Sequence, residues 1–234
     1  DRQMARLIEA AATIGVENPY TDNELKAACR TVLDASGLLR TEASLRITLT
    51  RGPGPRGLLP PADPSPTCLV AAAPAVPPPA ALSVVTAAIR RNDASPVSRI
   101  KALAYLDNVL AKRDAVAAGA DDALMLNTSG HVACLTAANV FIVEGNALTT
   151  PPVSDGVLPG IVRGRVLEIA ERCNYRAVEE SIAPVRFAAA DLAFATNSLI
   201  GLVPIVRIDH APLRGDAADV RSLSAAYLDS IELT

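Results

Sequence analysis

From residue 123 to residue 145 the chain is a succession of short apolar runs, each closed by turn residues. ALMLN leads into the turn TSG, and HVACLT and NVFIVEG follow. Runs of this length make strands rather than helices, and the turn residues stand where hairpins need them, so the region reads as a meander. The pattern recurs along the chain. SLRITLTRG alternates Leu45, Ile47 and Leu49 with polar neighbours, as a half-buried strand does. TCLVAAAP, ALSVVTAAI, RAVEESI, DLAFATNS and LVPIVRID read as further strands, and no internal repeat relates them.

Helical patterns lie between these runs. Residues 2–16 put Met4, Leu7, Ile8 and Ala11 on one face and stop at Gly15. Asp22 reads as the N-cap of a second helix through Val32 and Leu33, with Glu24 in its first turn. In RIKALAYLDNVLAKRDA (99–115), Leu103, Leu106 and Leu110 fall at helical spacing, which predicts a helix with Lys101 at its entrance. GIVRGRVLEIAERC (160–173) has an apolar side made by Val162, Leu167, Ile169 and Ala170. A Gly/Pro-rich loop, GPGPRGLLPPADPSP, separates the first strand from the second. The expected organisation is a helix-plus-antiparallel-strand domain over 1–91, a polar linker over 92–99 whose Ser-Pro disfavours continued helix, and a mostly β domain with two helices over 100–234.

The 234 residues are half apolar, enough for one large or two modest domains with real cores. A net charge of −3 and an aromatic set of three Phe, four Tyr and no Trp argue against nucleic acid as a partner. No apolar run reaches the roughly 18–20 residues that span a bilayer, and Pro74 and Pro77 to Pro79 interrupt the most Ala/Val-rich stretch. No signal-peptide pattern is read. The four cysteines are far apart with no CxxC pair, which fits a reducing cytoplasm, the expected location. Asp1 enters directly into helical spacing, so the natural N-terminus is expected to lie upstream. His131 and His210 are isolated, and no metal is expected. Neither a G-x-S-x-G elbow nor a P-loop is present.

Six segments together resemble one family. They are ARL at 5–7, TRGPGPRG at 50–57, KALAYLDNVLAKRDA from Lys101, GHVACLTAANVF from Gly130, TPPVSDGVLPGIVR from Thr150 and FATNSLIGLVPIVRID from Phe194. In this order and spacing they are similar to the class IV aminotransferases, the fold-type IV pyridoxal-phosphate enzymes that include branched-chain and D-amino acid transaminases and 4-amino-4-deoxychorismate lyase. The resemblance covers essentially the whole chain. It implies a mixed α/β (α+β), two-domain fold like that of D-amino acid aminotransferase. It also implies an amino-acid-like or aminodeoxychorismate-like small substrate and a homodimer.

The family's site residues carry over one at a time. The cofactor, pyridoxal 5'-phosphate, needs a primary amine that links covalently to it and then moves the Cα proton, and the family lysine falls on Lys101. Cofactor charge and partial burial would lower its pKa enough for that work. Tyr105, one turn further along the expected helix, matches the position that hydrogen-bonds the cofactor's phenolic oxygen. Gly160, Ile161 and Val162 open a helix whose backbone N–H groups suit a phosphate. Arg6 matches the arginine that completes the phosphate cup with a bidentate fork, and Ser198 offers a hydroxyl at another phosphate position. Asn139 is the asparagine of the motif G-x-V-x-E-x-T-x-x-N-x-F. Arg56 matches a position that grips a substrate carboxylate. Each residue also has an ordinary reading: a solvated lysine, a core tyrosine, arginines on a helix surface and in an exposed loop.

Two positions depart from the pattern. Val162 stands where relatives commonly carry Thr, a lost hydroxyl contact worth roughly 0.5–2 kcal/mol. Cys134 stands where the family carries the glutamate that pairs with the cofactor's ring nitrogen, and a neutral thiol cannot replace that anion. Three explanations stay open: a weaker electron sink, another acid at the ring nitrogen, or a cofactor-binding protein without catalysis. RGPGPRG and NSLIGLVP look more like the lyase branch than the branched-chain transaminases, so the sequence leans to pyruvate elimination, with transamination as the alternative.

Overall fold

β1 (Ala43–Thr50) and β2 (Thr67–Pro74) pair antiparallel along their full length, from Ala43 opposite Pro74 to Thr50 opposite Thr67. They belong to the first of two compact units, Asp1–Val76 and Pro77–Thr234, in a computed structural model that describes residues 2–215 and 217–232. The Gly/Pro loop between the strands turns at Gly52, whose φ is +83° and where an added Cβ would stand 1.7 Å from the Ser65 carbonyl oxygen. Only glycine tolerates both conditions.

α1 (Arg2–Thr13) ends as expected at Gly15, where Val16 N–H closes back onto the Ala11 carbonyl at 2.8 Å. Arg51 completes that end by donating to the Ile14 carbonyl at 2.7 Å. α2 (Asp22–Ala35) is capped by Thr21, not by Asp22. The Glu24 N–H donates to Thr21 Oγ1 at 3.3 Å while the Glu24 carboxylate accepts the Thr21 N–H at 2.7 Å, a reciprocal capping box. That backbone donor, with the Thr21 hydroxyl second, holds the Glu24 carboxyl below its ordinary range.

The second unit begins earlier than expected, because β3 (Leu82–Thr86) does not join the first sheet. It lies parallel to both β4 (Asp122–Leu126) and β10 (Gly201–Ile208). The expected domain boundary near Arg91 therefore gives way to one at Val76–Pro77. β5 (Val132–Leu135), β6 (Asn139–Glu144), β7 (Ala147–Thr150), β8 (Arg176–Glu179), β9 (Leu192–Asn197) and β11 (Ala211–Pro212) complete the unit's strands. The sheet order is β5-β4-β3-β10-β9-β6-β7-β8, with β11 on β10. The ends of this order meet: Val132 of β5 bridges Ile182, just beyond β8, so the sheet curls around a core that contains Leu124, Val140, Ile182, Phe187 and Ile205.

Among the described residues four helices accompany this sheet where the sequence pattern gives two. α3 (Leu106–Ala117) makes the crossover that parallel β3 and β4 require, and α4 (Ile161–Ile169) does the same for parallel β7 and β8. α5 (Pro184–Ala189) seats Phe187 in the core. α6 (Ala217–Glu232) packs Val220 and Leu223 against the stacked pair Phe141 and Phe194. No helix among the described residues is long and apolar enough to cross a membrane.

The β10–β11 turn holds two consecutive non-glycine residues at positive φ, Asp209 at +46° and His210 at +69°. Asp209 earns its place by accepting from the Thr86 N–H and hydroxyl, each at 2.6 Å. His210 has no such contact to offset its backbone, and Asp-Gly is the favoured pair for a turn of this hand. His210→Gly should raise stability by about 1 kcal/mol, read as a higher urea midpoint; a lowered midpoint would show an unrecognised His210 contact.

Candidate active site

Lys101 lies outside the helix that the leucine spacing predicts. Ser95 caps a 3-10 turn over Pro96–Arg99, Ile100 is extended (φ −115°, ψ 156°), and α3 starts only at Leu106. Leu103 and Leu106 are 61% and 68% exposed, so they are not the buried stripe. α3 buries Asn108, Ala111 and Ala115 instead, because it faces the small side chains Ala123 and Ala133 of β4 and β5. Asn108 fixes the approach by donating to the Thr136 carbonyl at 2.7 Å.

The extended lead-in leaves the Lys101 side chain exposed, with Nζ donating to the Tyr105 hydroxyl at 3.3 Å and lying 4.8 Å from the centre of its ring. Tyr105 occupies the N-cap position of α3 without a side-chain capping bond, and the pair forms although the expected helical turn does not. The chain has three lysines, Lys26, Lys101 and Lys112. Lys112 is committed to the Asp122 carboxylate at 3.3 Å and to the Asp121 carbonyl. Lys26 lies on α2, in the other unit.

α4 begins at Gly160, which offers no capping side chain to the first-turn N–H groups of Ile161 and Val162. A Cβ at Gly160 would stand 2.0 Å from Asn139 Oδ1. Asn139 is itself buried and donates to the Leu158 carbonyl at 2.9 Å, so it shapes the turn into α4. Val162 directs its side chain into the apolar cluster with Phe141 and Phe194, leaving its backbone as what it can offer a ligand. Ser198 is exposed in the turn after β9, where Asn197 Oδ1 accepts from the Leu199 and Ile200 N–H groups. Thr196, two residues earlier, has a buried hydroxyl without a partner, and its alternation with apolar neighbours gives no sequence signal for this.

Cys134 sits on β5 opposite Met125 and is buried among Ala111, Ala115, Ala133 and Val157. Burial pushes its thiol up to about 11; the Arg91 charge opposes this and the Asp122 charge reinforces it. The thiol is therefore neutral near pH 7. A folded-state value above the unfolded one stabilises the fold fully below the ordinary value of 9.0, and that stability is lost as pH rises through about 11. Wild type should lose more stability than Cys134→Ala between these pH values, by on the order of 2–3 kcal/mol in urea titrations. Parallel curves would mean that Cys134 is not buried as described.

Arg91 is the residue that sequence reasoning missed. It is 9% exposed and lies beyond the end of β3, where it forms an isolated bridge to Asn127 and its N–H donates to the Leu126 carbonyl. Its Nε donates to the Gly156 carbonyl and its NH2 to the Ser98 carbonyl, both at 2.5 Å. One guanidinium thus joins the turn that leads to Lys101 and the loop that leads to Gly160. The Arg90-Arg91 pair after an apolar strand was the available signal, but nothing local separates it from an ordinary strand end. Arg6, half-buried on α1, and Arg56, exposed in the 51–66 loop, belong to the other unit. Among the described residues no three His, Cys, Asp or Glu side chains gather as metal ligands.

The sequence profile of the family described as amino-transferase class IV matches residues 1–208. The chain belongs to the class IV aminotransferase family. As a class IV aminotransferase relative it is 33% identical over 208 residues to a candidate branched-chain-amino-acid aminotransferase of Methanocaldococcus jannaschii, covering 87% of this chain and 71% of that one. It spans 38% of the length of the longer branched-chain-amino-acid aminotransferase-like protein 2 of Arabidopsis thaliana, at 31% identity over 89% of this chain. Among solved structures, a candidate 4-amino-4-deoxychorismate lyase of Legionella pneumophila aligns at a TM-score of 0.88 with 28% identity, covering 97% of this chain and 83% of the other. The PLP form of the Thermobaculum terrenum branched-chain aminotransferase aligns at 0.87 with 26% identity, over 97% and 76%. The fold is the fold-type IV aminotransferase fold.

Proposed function

We propose that this class IV aminotransferase relative binds pyridoxal 5'-phosphate covalently at Lys101 and acts at Cα of an amino-acid-like substrate. The observation that carries this reading is the Lys101–Tyr105 pair, set on the chain that one guanidinium joins to the lead-in of an uncapped helix. The residues present fit the cofactor. An exposed amine is available for its aldehyde, and open N–H groups at Ile161 and Val162 suit its phosphate. Ser198, in the same unit, completes the phosphate contacts in this reading.

When bound, pyridoxal phosphate supplies a conjugated ring that accepts the electron pair left at Cα. Lys101 Nζ takes and returns the Cα proton, and the Tyr105 hydroxyl accepts a hydrogen bond that orients the amine. Cys134, neutral at pH 7, supplies no anion to a ring nitrogen. Asp122 is the acid whose charge reaches the Cys134 thiol, but its carboxylate is engaged by Thr136 Oγ1 at 2.6 Å and by Lys112.

Elimination of pyruvate from 4-amino-4-deoxychorismate is the favoured reaction, on the RGPGPRG and NSLIGLVP motifs and on the lyase neighbour. Transamination of a branched-chain or D-amino acid is the second reading, supported by the archaeal relative. The protein acts in this reading as a homodimer in the cytoplasm. The test is to load it with pyridoxal phosphate, then assay pyruvate release from aminodeoxychorismate and spectral conversion to the pyridoxamine form with L- and D-amino acids. Pyruvate without conversion selects the lyase, conversion selects the transaminase, and binding with neither marks a relative without catalysis. Failure to acquire any visible band overturns the proposal.

A further inference from the structure

We infer that Arg91 is a positioning residue for Lys101, holding the lysine's segment and the amino end of α4 in one fixed arrangement; this rests on the assignment of Lys101 above. Neither segment has regular structure to hold it. Residues 100–104 run from a four-residue 3-10 turn into α3, and residues 156–160 run from a shorter turn into α4. A strand or helix is positioned by its ladder, but such segments take their place from whatever their backbone groups bond to. Here the Ser98 carbonyl, three residues before Lys101, and the Gly156 carbonyl, four residues before Gly160, accept from the same planar guanidinium.

Arg91 can act as a fixed reference because it is itself fixed. Its backbone is tied to β4 through the Leu126 carbonyl and through the bridge to Asn127. The residues after it tighten the junction. The Ser98 hydroxyl donates to the Asn92 carbonyl at 2.6 Å, Arg99 donates to the Asp93 carbonyl at 3.0 Å, and the Asp93 carboxylate accepts from Thr128. On the other side Gly156 (φ +76°) lies so close to Asp93 that an added Cβ would stand 2.8 Å from its Cα. A fork that donates in two directions at once is a property of arginine; a lysine ammonium on a flexible stem cannot hold two carbonyls at this geometry.

If Arg91 sets where the amine stands relative to the phosphate-binding turn, its loss slows covalent capture of the cofactor more than it weakens the fold. The test compares Arg91→Ala and Arg91→Lys with Arg186→Ala, which removes an arginine forked onto Glu144 and Glu180 far along the chain. Each variant is melted, then mixed with pyridoxal phosphate, and the rise of the visible band is timed. Borohydride reduction and peptide mass then locate the modified lysine. The expected result is at least a tenfold slower rise for both Arg91 variants, partial recovery of Arg91→Ala with added guanidinium ion, and an unchanged rate for Arg186→Ala despite its lower melting point.

Should Arg91→Ala fail to fold, Arg91→Lys decides by the same criterion. Rates within twofold of wild type, or a slowing that Arg186→Ala shares, overturn the inference and leave Arg91 a structural residue. A label found in wild type on Lys26 or Lys112 overturns the Lys101 assignment itself, which the position of the label distinguishes from a failure of Arg91 alone.

Discussion

Lys101→Ala is expected to abolish the visible band of lysine-bound cofactor and to reduce turnover by about 10²–10⁴-fold or more. In the proposed reading the variant removes both the amine that links to the cofactor and the base that handles the Cα proton, and alanine supplies neither. It should leave the fold intact. Lys101 is exposed, its polar contact is a single 3.3 Å bond to Tyr105, and the leucines beside it are exposed as well. A loss of band with an unchanged melting point therefore separates chemistry from stability. Lys112→Ala is the informative control, because it breaks the ion pair with Asp122 and should lower the melting point without touching the band. A Lys101→Ala protein that binds and turns over like wild type would falsify the assignment.

Gly160→Ala is expected to have the second largest effect, and it acts through packing alone. Gly160 has an ordinary φ of −68°, so the backbone accepts alanine. The added Cβ, however, would stand 2.0 Å from Asn139 Oδ1. Asn139 is buried, and moving it breaks its bond to the Leu158 carbonyl and leaves that carbonyl unpaired, a cost of about 1–3 kcal/mol. The alternative is a shift of the first turn of α4, whose N–H groups hold the phosphate in the proposed site. Either response should lower the melting point, and cofactor affinity should fall by about tenfold, the equivalent of ~1.4 kcal/mol. In the double variant with Asn139→Ala, part of both losses should return, since the clash is gone. A pyridoxal-phosphate titration in which Gly160→Ala matches wild type would place the phosphate elsewhere.

The Cys134 and Val162 departures take different weights once packing is known. Val162 fills the cluster around Phe141 and Phe194, so its methyls contribute to the core that supports α4. A threonine there would bury a hydroxyl at some cost unless the phosphate received it. Cys134 lies among alanines, with room set by Ala111, Ala115 and Ala133, and a glutamate at that position has to displace them or reach Arg91.

The sequence alone determined the family, through six segments in order, and with it the fold type; Lys101 as the cofactor lysine is the reading proposed on top of that family. It also determined most strands, because alternation and turn residues are local signals, and the stop of α1 at Gly15, because a glycine end is local too. What only the tertiary structure decided depends on contacts between distant residues. ALSVVTAAI reads equally well in either sheet, and it joins the second because β10, more than a hundred residues later, pairs with it. The leucines after Lys101 have helical spacing, yet α3 begins beyond Lys101 and Leu103 and turns its small residues inward, because the facing strands present alanines. Arg91 is an ordinary arginine beyond a strand until Ser98 and Gly156 fold back onto it. In each case a weak local preference is overruled by burial and pairing across the chain, which no window of neighbouring residues contains.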